Sequence, residues 1–293
     1  MATLLKGKEV AEALKQKLTV EVENLKQKGI TPGLSIVIVG DRADSAAYIK
    51  GAVKRCTEIG IDCRVEELPG DMSQKDFIDD LHRLNNDPAV NGILIMRPLP
   101  SQISENAVKY EISPEKDVDC MSPVNVSKIM SGEDGGFAPC TPSAVMEILH
   151  HYGIEPEGKR VVVIGRSMVV GRPLSMMLLK EHATITVCHT KTRDLAEETR
   201  RAEILVAAAG KARMVKKDMV SKDAIVIDVG INFDEDGKMC GDVDFDEVNP
   251  VAGMITPVPG GVGAVTSTIL AKHVIEACKV SSLKTMKFMC PKY

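Results

Sequence analysis

The sequence predicts an α/β fold with two β-α-β domains, each built around a parallel sheet. Strand-like apolar segments alternate with amphipathic helices over the first hundred residues, and a second alternation begins at Arg160. Alternation of this kind gives parallel strands joined by crossover helices. The run at residues 34–39 (LSIVIV) is apolar except for Ser35, which is typical of a strand covered on both faces. A chain of 293 residues is long enough for two such domains.

The elements of the first half follow from apolar spacing and from the residues that end each segment. Apolar residues recur at helical spacing from Val10 and predict a first helix that Gly29 ends. Residues 131–139 are predicted to form a loop, and Thr141 to cap the helix that follows it. Between these, the predicted elements are a strand at residues 34–39, a helix at 43–59, a strand at 64–68, a helix capped by Ser73 and a strand at 92–96.

The second half repeats this pattern and ends in a helix. A glycine-rich loop at residues 259–264 (PGGVGA) precedes a final apolar helix at about 266–280. The tail after Val280 is polar and basic, and we expect it to be loosely held. The strands of this half are predicted at residues 160–164, 184–188, 204–208 and 224–229.

Composition excludes several classes of protein. The formal net charge of -4 argues against a general nucleic-acid binder, which would need a basic surface. The eight cysteines include no C-x-x-C pair, so we predict neither a zinc site nor a disulfide framework, and expect small buried side chains. The sequence shows neither a signal peptide nor an apolar run of the ~20 residues that a membrane span needs. We therefore expect a cytoplasmic protein with no bound metal.

A glycine turn in the second half is the first candidate site. Residues 161–174 (VVVIGRSMVVGRPL) place a strand, a turn containing Gly165 and Gly171, and then a helix. Such a turn lets backbone N–H groups approach phosphate, and the helix N-terminus adds a favourable field. The glycine spacing departs from G-x-G-x-x-G, so dinucleotide binding and a purely structural turn are both open on this motif alone.

The next strand end favours NADP over NAD. NAD sites usually carry an acid about 20 residues after the first glycine, where it binds the ribose 2′-hydroxyl. Residues 186–193 (TVCHTKTR) contain no carboxylate but do contain Thr190, a lysine and an arginine, and Arg166 and Ser167 lie in the glycine turn. Hydroxyls and cations suit a 2′-phosphate. The alternative is that the two cations of this strand end form a solvated loop surface.

A second group of candidate residues lies in the first half. Tyr48 lies on the helix after the first buried strand, Met96 and Arg97 end the third strand, and Asp119 follows in the loop at residues 113–119 (SPEKDVD). Ligands of parallel sheets bind at the carboxyl ends of strands, so we expect these side chains to converge. Taken singly, Asp119 is also explained as a turn or cap residue, and Tyr48 as a packing residue.

Seven segments, in order, resemble the methylenetetrahydrofolate dehydrogenase/cyclohydrolase family: DSAAYIKGAVKRCTEIGI, PEKDVDC, PCTPSAV, VVVIGRSMVVGRP, CHTKT, DVGIN and TPVPGGVGAVT. The resemblance runs from about Lys6 to Val280. It implies a catalytic folate domain at residues 1–142 plus 268–293, a Rossmann-type NAD(P) domain at 143–267 and a cleft between them. It also implies a homodimer that acts on tetrahydrofolate derivatives.

The resemblance assigns roles by position. Tyr48 would stack on the folate pterin and Asp119 would hold its amino-pyrimidine edge, and these two are the expected catalytic residues. The cofactor residues would be Gly165, Arg166, Ser167, Thr190 and Ile231, the last of them lining the nicotinamide side. The substrate site would comprise Tyr48, Ala52, Ile95, Met96, Arg97, Asp119, Pro259, Gly260, Gly261, Val262 and Gly263.

Two positions depart from the family pattern. The family's catalytic lysine lies four residues after the tyrosine, one helical turn along the same face, and this position is Ala52. The family's glutamine, in a VQLPLP-like strand end, is replaced by Met96. The two positions whose polar side chains the family uses in the cyclohydrolase step therefore carry apolar side chains in this sequence. An engineered lysine-to-alanine change at Ala52 is an alternative, but Met96 argues against it.

Neighbouring cations are poor substitutes for the lysine. Lys50 and Lys54 lie at about 200° and 240° around the helix from Tyr48, so they point away. Arg55 returns to the right face a turn further along, and Arg97 is adjacent to Met96. An arginine holds its proton too tightly to shuttle it at neutral pH, although either arginine could hold the substrate electrostatically.

This chemistry predicts an NADP-dependent dehydrogenase with weak or absent cyclohydrolase activity. Hydride transfer depends mainly on positioning, whereas hydrolysis of the methenyl cation requires an activated water and proton transfer. The main alternative is a fully bifunctional enzyme in which Arg55, Arg97 or a water chain replaces the lysine. A non-catalytic folate or nucleotide sensor and an unrelated two-domain dehydrogenase are further alternatives.

Overall fold

The computed structural model describes residues 1–41 and 43–289, and within these the chain forms two compact units. The first unit comprises Met1–Glu12 and Pro139–Thr266, and the second comprises Ala13–Ala138 and the described residues that follow Thr266. The helices are α1 (Gly7–Lys26), α2 (Ala43–Ile59), α3 (Gln74–Asn86), α4 (Glu105–Glu111), α5 (Pro123–Ser131), α6 (Cys140–His151), α7 (Gly171–Lys180), α8 (Leu195–Arg200), α9 (Phe245–Val248) and α10 (Thr266–Met289). The strands are β1 (Thr3–Leu4), β2 (Gly33–Val39), β3 (Asp62–Leu68), β4 (Gly92–Ile95), β5 (Arg160–Ile164), β6 (Thr184–Cys188), β7 (Ile204–Ala207), β8 (Ile225–Asp228), β9 (Asn232–Phe233), β10 (Met239–Cys240) and β11 (Met254–Ile255).

The second unit contains a three-stranded parallel sheet in the order β3-β2-β4. All seven residues of the central strand β2 are buried, as its largely apolar sequence predicts. The edge strand β3 consists of exposed and half-buried residues. Helix α3 begins at the predicted cap, where the Ser73 hydroxyl accepts a hydrogen bond from the Asp76 N–H, and it buries Phe77, Leu81 and Leu84. The parallel strands direct the residues that follow β2 and β4 to one edge of the sheet.

The first unit contains a six-stranded sheet in the order β1-β11-β8-β7-β5-β6. All its pairings are parallel, and three of its four inner strands, β5, β7 and β8, are almost wholly buried. The two residues of β1 pair with β11, a pairing that sequence patterning did not predict because both strands are very short. The predicted α/β class with parallel sheets is therefore confirmed.

Three sequence predictions of local structure were wrong or incomplete. Thr141 does not cap α6: the cap is Pro139, and the helix already begins at Cys140. Helix α10 continues to Met289 rather than stopping near Val280, since no glycine or proline interrupts residues 281–289. Six of the seven described cysteines are buried as expected, Cys63 is half-buried, and Cys290 lies outside the described residues.

Within the described part of the chain, every helix is too short or too polar to cross a membrane. The same residues include no group of three or more His, Cys, Asp and Glu side chains arranged to hold a metal ion.

Candidate active site

In the second unit, helix α2 presents the Tyr48 face predicted from the sequence. Tyr48 is half-buried, whereas Ala52, one turn further on, is fully buried. Cys56, a further turn along, is also fully buried, so this face of α2 turns into the protein interior beyond Tyr48. Position 52 thus carries only a methyl group and has no titratable atom.

The end of β4 supplies the next candidate residues. Ile95 is the last residue of the strand, and the N–H of Met96 still donates to the Val37 carbonyl over 2.9 Å. Arg97 leaves the sheet at this point, and its guanidinium lies 3.7 Å from the Asp119 carboxylate. Both side chains are about one-third exposed, at 30% and 27%. The structure therefore brings Arg97 and Asp119 together, as the convergence of strand ends predicts.

The loop that carries Asp119 is fixed by its buried neighbours. The N–H of Ile93 in β4 donates to the Lys116 carbonyl, so the loop runs beside the sheet as an added edge. The buried Asp117 carboxylate accepts hydrogen bonds from the N–H groups of Met121 and Ser122, at 2.8 Å each, and from the amide of Asn125. Burial raises the pKa of Asp117, although these donors act in the opposite direction. The loop holds its shape through an internal carboxylate, and Asp119 remains partly exposed.

The four neighbouring cations occupy different surroundings. Lys54 and Arg55 both lie 3.9 Å from the Glu58 carboxylate on their own helix, and Lys50 lines a cavity at the ends of β2 and β3. Arg97 pairs with the Asp119 carboxylate. Of the two arginines that could hold the substrate, Arg97 is therefore placed beside Asp119.

In the first unit, the turn after β5 is built on two glycines. Gly165 has a φ of +126°, and a Cβ atom there would lie 2.2 Å from the Ala208 carbonyl oxygen. A Cβ atom on Gly171, the first residue of α7, would lie 2.1 Å from the Gly165 carbonyl oxygen. The Ser167 hydroxyl accepts a hydrogen bond from the Val170 N–H and closes the turn. The turn therefore has the close backbone approach that a phosphate site needs.

Around this turn, Arg166, Ser167 and Thr190 are all exposed. Among the described residues, Arg166 makes no side-chain ion pair or hydrogen bond. The strand end after β6 forms its own turn, in which the Thr192 hydroxyl accepts from the His189 N–H at 2.8 Å. Hydroxyls and an unpaired cation thus occur together on the surface, which fits a bound phosphate group.

We predict that Gly171→Ala weakens NADP binding by at least ~10-fold, since displacements of about 1 Å near a site can cost up to 10²-fold. The added methyl group cannot fit 2.1 Å from a backbone oxygen, so the turn must move. The dissociation constant for NADP, measured by calorimetry, tests this. Gly51→Ala is the matched control, because Gly51 has no heavy atom within 4 Å of the added Cβ. Unchanged NADP affinity in Gly171→Ala would show that the turn is not the phosphate site.

A cavity of about 300 Å³ in the first unit brings together the remaining sequence-predicted residues. Ile231, which is 60% exposed, lines this cavity together with the glycine-rich loop. A Cβ atom on Gly263 would lie 3.5 Å from the Ile231 side chain. Lys8 and Asp228 also line this cavity, and the loop contributes Pro259, Gly260, Gly261, Val262 and Gly263.

Asp228 was not among the predicted site residues, although it begins the DVGIN segment. Its buried carboxylate accepts hydrogen bonds from the N–H groups of Gly230, Asp242 and Val243. Burial raises the pKa of Asp228 to about 6, and the three N–H groups oppose this shift. A Cβ atom on Gly241 would overlap the Asp228 carboxylate, so the glycine is required for this contact. Asp228 fixes the loop that presents Ile231.

Comparison with known proteins identifies the family. Residues 5–119 match the model of the tetrahydrofolate dehydrogenase/cyclohydrolase catalytic domain, and residues 139–282 match that of its NAD(P)-binding domain. The chain is 56% identical over 280 residues to the bifunctional protein FolD of Alkaliphilus oremlandii, covering 96% of this chain and 98% of that protein.

Two solved structures are also similar over nearly the whole chain. The bifunctional enzyme FolD of Campylobacter jejuni is 42% identical with a TM-score of 0.93, covering 96% of this chain and 99% of that one. The Trypanosoma brucei methylenetetrahydrofolate dehydrogenase-cyclohydrolase, described as complexed with NADP cofactor and inhibitor, is 40% identical with a TM-score of 0.90, covering 96% and 98%. The chain therefore belongs to the tetrahydrofolate dehydrogenase/cyclohydrolase family.

Proposed function

We propose that this protein oxidises 5,10-methylenetetrahydrofolate to 5,10-methenyltetrahydrofolate with NADP as the hydride acceptor. The observation that carries the proposal is the match of both family domains along one chain, at 56% identity to a bifunctional relative. A non-catalytic sensor or an unrelated dehydrogenase would not require this full-length correspondence.

The residues of the second unit fit a positioning role. Tyr48 offers an aromatic ring on which a pterin can stack, and the partly exposed Asp119 offers two acceptor oxygens for an amino-pyrimidine edge. The substrate's own nitrogen lone pair expels the hydride and leaves an amidinium-like cation, so the reaction needs no protein base. Ala52 and Met96 therefore do not prevent oxidation.

The residues of the first unit fit an NADP site. NADP supplies the group that accepts the hydride. The backbone of the Gly165–Gly171 turn can approach its phosphates, and Arg166 provides an exposed cation for a 2′-phosphate. Ile231 and the glycine-rich loop present an apolar wall and backbone groups around one cavity.

We predict that Arg166→Leu raises the KM for NADP by roughly 10- to 100-fold, the value of a charge-assisted hydrogen bond, and leaves the KM for NAD nearly unchanged. NAD lacks the 2′-phosphate that the guanidinium would contact. Steady-state kinetics with each cofactor measure the KM for NADP and the KM for NAD. Arg201→Leu is the matched control, because the ion pairs of this exposed arginine among the described residues are with Glu197 and Glu198 of the preceding helix α8. Equal losses with NAD and NADP would assign Arg166 to another part of the cofactor.

For the second reaction, we propose that the protein also hydrolyses methenyltetrahydrofolate to formyltetrahydrofolate. The names of the relatives favour this bifunctional function over the absence of cyclohydrolase activity. One observation favours a difference in rate: the buried Ala52 and the apolar Met96 supply no group that can accept a proton from water. We therefore propose that hydrolysis is the slower of the two reactions, with Arg97 as a cation beside Asp119.

One assay with two readouts tests both parts. Purified protein is given methylenetetrahydrofolate with NADP or NAD, and methenyl- and formyl-folate are followed separately. We expect rapid NADP reduction and accumulation of the methenyl product. Formyl-folate formed as fast as NADPH would support full bifunctionality, and cofactor binding without turnover would support a sensor. Light scattering of the same sample tests the homodimer that we propose from the family resemblance.

A further inference from the structure

One buried hydrogen bond acts on the backbone directly beside Asp119. The imidazole Nδ1 of His273, on helix α10, lies 2.9 Å from the carbonyl oxygen of Val118. Val118 is fully buried and immediately precedes Asp119. A hydrogen bond to a buried carbonyl restricts the direction of that carbonyl, so this bond helps to orient the peptide group that leads into Asp119.

The surroundings of His273 determine its protonation. The side chain is 6% exposed, and its ring packs against Phe137 with a centroid distance of 5.5 Å. Burial lowers the pKa of His273, which favours the neutral imidazole. Because a carbonyl oxygen can only accept, Nδ1 must carry the single N–H of the neutral ring. The structure therefore specifies one tautomer.

Packing fixes the same segment from the other side. A Cβ atom on Gly92 would lie 2.8 Å from a methyl group of Val118 and 2.9 Å from one of Val274, the residue after His273. The first residue of β4 thus leaves just enough room for both valines. Cys120, on the other side of Asp119, has a φ of +61°. Asp119 therefore projects from a short stretch of backbone whose two flanking residues are both constrained.

We propose that His273 is a positioning residue for substrate binding, because its Nδ1–H orients the Val118–Asp119 backbone so that the Asp119 carboxylate meets the bound folate. The inference rests on the function proposed above, in which Asp119 contacts the substrate. If His273 only packed the core, replacing it would change the stability of the protein but would not selectively change the binding of the folate.

Two variants separate the hydrogen bond from packing. In His273→Asn, the side-chain amide places a donor nitrogen at the same number of bonds from the backbone as Nδ1. In His273→Leu, the side chain has similar bulk and no donor. We expect the leucine variant to raise the KM for methylenetetrahydrofolate by about 5- to 10-fold, the value of roughly one hydrogen bond, with kcat and the KM for NADP within about twofold of wild type. The asparagine variant should restore most of this loss.

The outcomes distinguish the inference from the function on which it rests. If the wild-type protein fails to reduce NADP with methylenetetrahydrofolate, the proposed function is wrong. If the wild type is active and the two variants have the same KM for the folate, the positioning role is wrong.

A measurement on the wild-type protein covers the case in which the leucine variant does not fold. The ¹⁵N spectrum of histidine-labelled protein, assigned by comparison with His273→Asn, reports which ring nitrogen carries the proton. We expect Nδ1–H in the free protein and a shift of its resonance on addition of 5-formyltetrahydrofolate as a stable probe. An Nε2–H tautomer, or a resonance unmoved by saturating folate, would overturn the proposal.

Discussion

Replacing Asp119 with asparagine is expected to lower kcat/KM for methylenetetrahydrofolate by roughly 10- to 100-fold, the usual value of hydrogen bonds to a charged group. A carboxylate offers two acceptor oxygens, whereas asparagine offers one and adds two donors that face the donors of an amino-pyrimidine. The loss should appear equally in oxidation and in hydrolysis, because both reactions use the same bound folate. Steady-state kinetics with each folate measure it.

Stability should change little in this variant. Asp119 is 27% exposed and its ion pair with Arg97 is 3.7 Å long, a class of contact worth ~1 kcal/mol or less. The control is Asp79→Asn, another carboxylate of the second unit, which is exposed and pairs with Lys75 on its own helix. A loss confined to the KM for NADP, or no loss at all, would remove Asp119 from the folate site.

Most of the fold was predictable because its elements carry strong local patterns. The helix at residues 43–59 has the predicted bounds, and β5 and β6 begin and end where expected. The errors lie where the pattern is weak. Two residues of β1 are too few to show a period, and they pair only because β11 provides an edge. A threonine followed by proline resembles a helix start, but the chain at Pro139 already has the extended conformation of a cap.

The residues of the candidate site also divide into those that the sequence could predict and those that it could not. The glycine turn and the loop with Asp119 are visible as short motifs, because phosphate binding and buried loop geometry restrict the residues that fit. His273 could not be found from the sequence, since a lone histidine on an apolar helix has no spacing that indicates a partner 155 residues away. For Arg97 and Asp119, the sequence predicted only that both lie near the carboxyl ends of neighbouring strands. The structure adds the distance between their charged groups and shows that both side chains are partly exposed.

The largest gain is expected from Ala52→Lys, which should increase the rate of methenyltetrahydrofolate hydrolysis by ~10²–10⁴-fold, the usual range for a general base. Position 52 lies one turn from Tyr48 on the same face of α2 and is fully buried. A lysine there loses hydration, so its pKa falls toward neutrality and the neutral amine can accept a proton from water. Formyl-folate production from methenyl-folate, corrected for the uncatalysed rate, measures the effect.

Ala52→Met is the matched control, since methionine fills similar space with an unbranched chain and has no amine. Both variants place a larger side chain at a buried position and should lose about 1–3 kcal/mol of stability. We therefore expect the melting temperature to fall in both variants, and this fall does not test the mechanism. Oxidation with NADP should survive in both, because that step needs no base at position 52. A lysine variant that hydrolyses no faster than wild type would mean that another group or a chain of water molecules already activates the attacking water. The two reactions would then proceed at comparable rates in the wild-type protein despite the missing lysine.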